Sequence, residues 1–108
     1  MTTSNLPASN KSRIEIEYCT QCRWMLRATW LAQEIPQTFD EHISEIALRP
    51  GSGGVFRVRV NQTTVWDRAT DCAMPELRIL KQRIRDIAAP EKSLGHTDRV
   101  SEEINRDA

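Results

Sequence analysis

Between Arg13 and Tyr18 apolar and charged residues alternate strictly, and the run ends on Cys19-Thr20-Gln21-Cys22. Ile14, Ile16 and Tyr18 fall on one face and Arg13, Glu15 and Glu17 on the other, the period-two pattern of a half-buried strand. Directly after the motif, Trp24, Ala28, Leu31 and Ile35 recur at helical spacing, and Pro36 is expected to end that helix. Strand, Cys-x-x-Cys and helix in immediate succession leave few folds open. If a second strand follows in the same sheet, it lies parallel to the first and is reached by a right-handed crossover.

The rest of the chain supplies that strand and three more elements. Ile43 to Leu48 is apolar enough for a short strand, stopped by Arg49-Pro50-Gly51-Ser52-Gly53-Gly54, where the glycines permit positive φ. Val55 to Val60 alternates again, with Phe56, Val58 and Val60 opposing Arg57 and Arg59. Asn61-Gln62 makes a hairpin turn into a fourth strand, Thr63 to Asp67. Leu77, Leu80, Ile84 and Ile87 mark a helix over 75–88, with Pro75 in its first turn, Thr70 or Asp71 as its cap and Pro90 beyond its end.

The pattern is a βαβ unit followed by a ββα unit, an α/β chain of two layers (α+β in arrangement). A mixed four-stranded sheet of order 2-1-3-4 carries both helices on one face and leaves the other wet. On that wet face Glu15 and Glu17 are expected opposite Arg57 and Arg59. Residues 12–90 make the domain, with a polar tail over 1–11 expected to be flexible and a second polar tail over 91–108.

Fifteen Lys and Arg balance fifteen Asp and Glu, and the sequence pI is near 6.7. A nucleic-acid binder is normally basic over its folded part, so no nucleic-acid partner is expected. No apolar run approaches the roughly 18 residues of a membrane span, and the first residues carry no apolar signal stretch. Three cysteines, two of them in one Cys-x-x-Cys, do not make a secreted disulfide scaffold. A cytoplasmic protein is expected.

A bridge closing only residues 19–22 stabilises the fold by roughly 2 kcal/mol at most, so its chemistry is the better reason for it. Ahead of a helix N-terminus, free N–H groups favour a thiolate, and Arg23 adds positive potential. Strand–Cys-x-x-Cys–helix is the arrangement that thioredoxin-like redox proteins use. A zinc site is the alternative, with Cys72, His42 and His96 as further ligands, but none of these stands in a second paired motif. Cys72 itself reads as a half-buried packing residue, and Trp24 as core. The Arg57 and Arg59 row could bind an anion such as glutathione, but pairing with Glu15 and Glu17 is the simpler account. With no P-loop and no G-x-G-x-x-G, no cofactor is expected.

Several separated blocks together resemble the Rdx family, the selenoprotein W/T/H type of small thioredoxin-like proteins, in its all-cysteine bacterial branch. They are Ile16 to Trp24, Gly53 to Val58, Trp66-Asp67-Arg68, Pro75-Glu76 and Leu80 to Asp86, with Ser93 to His96 after them. The resemblance implies a thioredoxin-like fold and thiol–disulfide chemistry at Cys19 and Cys22, flanked by Thr20, Gln21 and Arg23. Its implied partner is glutathione or a protein thiol or disulfide. Gly53-Gly54 stands where thioredoxins proper hold substrate with a proline, and from the topology this loop is expected to approach the motif and leave room for a substrate backbone. A non-enzymatic redox-sensing interaction module is the competing function. Which sulfur attacks stays open. Position favours Cys19, expected to be the more exposed, whereas the family's selenium occupies the place of Cys22.

Overall fold

The computed structural model describes residues 11–95. β1 (Ser12–Cys19) leads into α1 (Met25–Phe39) and β2 (Ile43–Gly51), and the hairpin β3 (Phe56–Val60) and β4 (Thr63–Asp67) follows. A four-residue helix, α2 (Arg68–Asp71), and the longer α3 (Leu77–Ala88) complete the order. The sheet runs β2-β1-β3-β4, with β1 parallel to β2 and antiparallel to β3, and β3 antiparallel to β4. This is the mixed sheet and strand order that the sequence pattern predicts.

The alternation in β1 and β3 builds the core. Ile14, Ile16, Phe56, Val58 and Val60 are fully buried, and Tyr18 nearly so, against Ala28, Leu31 and Ile35 of α1 and Leu80 and Ile84 of α3. On the opposite face, Glu15 meets Arg59 at 2.7 Å, and Glu17 meets Arg59 at 3.2 Å and Arg57 at 3.4 Å. Arg57 also pairs with Asp67 at 3.1 Å, and Arg13 bridges Glu15 and Glu45. Both guanidiniums of the predicted row already face carboxylates, so the row needs no bound anion.

Both prolines expected to end elements lie inside them. The stripe of α1 continues past Pro36 to Phe39, which is fully buried. Burying Phe39 contributes roughly 1.5–3 kcal/mol, enough to offset most of the ~3 kcal/mol that an interior proline costs. Arg49, Pro50 and Gly51 extend β2 instead of stopping it, pairing with Glu17, Tyr18 and Cys19. β2 is an edge strand, where a missing N–H donor is tolerated.

The start of the last helix also differs from expectation. Thr70 and Asp71 belong to α2, and Pro75 precedes α3, whose N-cap residue Glu76 makes no side-chain capping bond. Cys72, at φ 62°, ends α2 in the left-handed region, which separates the two helices. Ile87 is exposed, and Ala88 and Ala89 close the core beside it. Trp66 ties this region together. Its Nε1 donates to the Ala73 carbonyl at 2.9 Å, and the Arg83 guanidinium lies 4.5 Å from its ring centre.

The expected N-terminal tail, apart from Lys11, lies outside the described residues, as does the C-terminal tail from residue 96. Within 91–95, Leu94 packs against the core and the Lys92 carbonyl accepts from Arg85 at 2.9 Å. No helix among the described residues is long and apolar enough to cross a membrane.

Candidate functional site

β1 carries Cys19 to its C-terminal end, where Cys19 N–H donates to the Val55 carbonyl at 2.8 Å. The chain then turns before it becomes helical. Arg23 N–H donates to the Thr20 carbonyl at 3.2 Å, Arg23 takes φ 60°, and α1 begins only at Met25. The motif therefore occupies a tight turn ahead of α1 and not its first helical turn. Thr20 anchors the turn to the neighbouring loop, its N–H reaching the Gly51 carbonyl at 3.1 Å and its hydroxyl the same oxygen at 3.3 Å.

Within this turn the Cys22 thiol donates a hydrogen bond to the Cys19 sulfur at 2.8 Å. The two sulfurs differ sharply in exposure, and in the opposite sense to the expectation from position. Cys19 is buried and Cys22 exposed. The strand end packs under the 51–55 loop and encloses Cys19, whereas the turn projects Cys22 outward.

Their acidities also part. The Cys22 thiol, and then the backbone N–H groups of Gly54, Cys22 and Gln21, hold the Cys19 thiol below its ordinary value against the opposing effect of burial. Cys22 is raised, first by that same hydrogen bond, then by partial desolvation and by the charge on Cys19; Arg68 and the Gly54 N–H pull it back. Of the two coupled thiols Cys19 is thus the one that ionises first, with the Cys22 thiol placed to donate to it over 2.8 Å.

Gly54 brings its N–H to both sulfurs at φ 79°, a conformation that glycine adopts without strain. A Cβ on Gly54 would meet nothing within 4 Å, and the same holds for exposed Gly53 at φ 72°, so the space beside both glycines is open. Gly51 is needed for a different reason, since a Cβ there would lie 2.7 Å from the Val55 side chain.

A family model described as the Rdx family matches residues 13–86. The chain belongs to the Rdx family. Among solved structures, a protein from Bordetella parapertussis is 54% identical, with TM-score 0.69, over 70% of this chain and 96% of that one. A selenoprotein W-related protein from Vibrio cholerae is 47% identical, with TM-score 0.70, over 72% of this chain and 98% of that one. No curated protein sequence matches significantly.

In this Rdx domain the cation that acts on Cys22 is Arg68, which sequence reasoning passed over in favour of Arg23. The topology contains the signal. β4 runs parallel to β1, so the residue after Asp67 emerges at the same sheet end as Cys19. Arg68 lies with its guanidinium carbon 5.1 Å from the Trp24 ring centre. Trp24 is half-buried, its ring edge-on to Phe56 at 6.0 Å and 76°.

Cys72 is exposed, not half-buried as the sequence suggests, because its left-handed conformation at the end of α2 turns it away from the core. Among the described residues, no group of three or more His, Cys, Asp or Glu side chains is placed to hold a metal ion. The zinc reading also called on His96, which lies outside the described residues.

Proposed function

We propose that this Rdx protein is a thiol–disulfide redox protein whose Cys19 and Cys22 cycle between a dithiol and a disulfide. The observation that carries the reading is the 2.8 Å hydrogen bond from the Cys22 thiol to the Cys19 sulfur. The sulfurs need to approach by less than about 1 Å to reach bonding distance.

In this reading the exposed Cys22 is the attacking sulfur, and Cys19, the more readily ionised of the two and already 2.8 Å away, is the group placed to take its proton. Cys19 takes the Cys22 proton as the Cys22 sulfur attacks a substrate disulfide, forming a mixed disulfide and releasing one substrate thiolate. That thiolate takes the proton from Cys19. The Cys19 thiolate then attacks the Cys22 sulfur, breaking the mixed disulfide and releasing the second substrate thiolate, which is protonated from solvent. Two electrons pass to the substrate, and two equivalents of an external thiol such as glutathione restore the dithiol. The open space beside Gly53 and Gly54 suits a substrate backbone, and the Gly54 N–H supports whichever sulfur is charged.

Equilibration in glutathione redox buffers, with acid quenching and mass spectrometry, tests the proposal. The expected result is one reversible two-electron transition at Cys19 and Cys22, together with turnover of a disulfide substrate. A reversible bridge without turnover points to a redox-sensing module, and no bridge at any poise overturns both.

A further inference from the structure

The arginines of this molecule divide into two sets. Of the ten among the described residues, Arg13, Arg49, Arg57, Arg59, Arg78, Arg83 and Arg85 lie within 3.6 Å of a carboxylate. Arg23, Arg27 and Arg68 have no such partner among those residues, and all three gather around Trp24. Arg23 and Arg27 line a groove of about 490 Å³ with Trp24, Leu26 and Trp30, and Arg68 stacks on the Trp24 ring. On a chain of zero formal charge this is an uncompensated cationic cluster. It begins one residue after the exposed Cys22.

The groove is also unusually apolar for a surface. Leu26 is 82% exposed and Trp30 47%, on a helix whose opposite face is buried in the core. Glutathione has carboxylates for the arginines, but no aliphatic or aromatic side chain to cover Leu26 and Trp30. A protein segment can supply both. Exposed tryptophan and arginine side by side are also the residue types that dominate binding energy at protein interfaces.

We infer that the groove beside Cys22 docks a protein substrate through a cysteine-bearing segment rich in carboxylates and carrying a large apolar side chain next to the cysteine. The inference rests on the proposed exchange at Cys22 and names its substrate class. The carboxylates pair with Arg23 and Arg27, the apolar side chain covers Leu26 and Trp30, and the cysteine of the segment is left beside Cys22. Opposite charge speeds the encounter, and salt weakens it, because these guanidiniums are exposed.

The test separates docking from chemistry by using cysteine-free peptides. Three fluorescent peptides with serine in place of the cysteine are titrated with the reduced full-length protein: one with Asp and Leu, one with Lys and Leu, one with Asp and Ser only. The first is expected to bind about tenfold more tightly than either of the others at about 20 mM salt, and the gap to the lysine peptide is expected to shrink at about 300 mM. The Arg23→Gln, Arg27→Gln double variant should abolish the preference for acid, and Trp30→Ala the preference for leucine, while Lys81→Gln changes neither. Equal affinities for the three peptides, or preferences that survive in those variants, overturn the inference. Exchange with glutathione disulfide is measured in parallel. Exchange without peptide preference sinks the docking surface and leaves the redox function standing, whereas peptide preference without exchange supports the surface and sinks the redox reading.

Discussion

Arg59 on β3 and Glu15 on β1 meet at 2.7 Å on the open face of the sheet, in the middle of a charge network that spans all four strands. Glu15 is nearly covered by its partners, and the side-chain hydrogen bond from Arg13, with help from Arg59 and Arg49, lowers its carboxyl below the ordinary value against the effect of burial. A lowered carboxyl contributes stability that is fully present above its unfolded value and lost as pH falls through its folded value. The stability of the wild type against denaturant is therefore expected to fall from about pH 5 downward. Glu15→Gln should lose stability at pH 7, by on the order of 1 kcal/mol, and show a flatter acid limb. Parallel limbs for the two proteins would refute the assignment.

The unequal cysteines make opposite predictions for their serine variants. Cys19→Ser keeps the exposed thiol and removes the charge and hydrogen bond that raise it, so Cys22 should ionise more readily with Arg68 beside it. Cys22→Ser keeps only a buried sulfur. With glutathione disulfide near neutral pH, the Cys19→Ser protein is expected to form the mixed disulfide faster by roughly tenfold. Faster reaction of the Cys22→Ser protein would reverse the roles of attacker and base.

Gly54 offers a test of the backbone contribution. At φ 79° any side chain is strained whatever the space around it, so Gly54→Ala should cost about 1–2 kcal/mol of stability. Relief of that strain moves the N–H away from the sulfurs and should shift the alkylation profile of Cys19 to higher pH. The profile is measured by mass spectrometry in the Cys22→Ser background, and an unmoved profile would show that the Gly54 N–H contributes nothing to thiolate stability.

Pro36 interrupts a helix that continues to Phe39. Replacing it by alanine restores a main-chain donor and a better helix former, so Pro36→Ala is expected to stabilise the protein by about 1–3 kcal/mol, less what the unfolded chain gains in freedom. Thermal unfolding reads the change directly. A lower Tm would mean that the proline ring packs in place of the missing hydrogen bond.

Much of the architecture was legible because it follows from local periodicity. Ile14, Ile16, Phe56, Val58 and Val60 could be assigned to one face, and Glu15, Glu17, Arg57 and Arg59 to the other, from a repeat of two alone. The crossover rule then orders the first two strands, and the hairpin at Asn61 the last two. Pro36 and Pro50 were misleading because proline's local penalty is a few kcal/mol, and its effect depends on whether burial such as that of Phe39, or an edge position such as that of β2, offsets it.

Local periodicity specified the strand faces and the placement of a Cys-x-x-Cys between strand and helix, because each of these depends on residues within a few positions of one another, whereas the sheet order also drew on the rules for crossovers and hairpins. Tertiary structure alone decided which sulfur is enclosed and which is open, since the 51–55 loop that covers Cys19 lies over thirty positions away. It also brought Arg68 from the end of β4 to the Trp24 ring and left Arg23 and Arg27 beside it without a carboxylate partner among the described residues. Ionisation and recognition depend on charge and solvent a few ångströms away in space, and those distances exist only once the sheet has aligned the ends of β1 and β4.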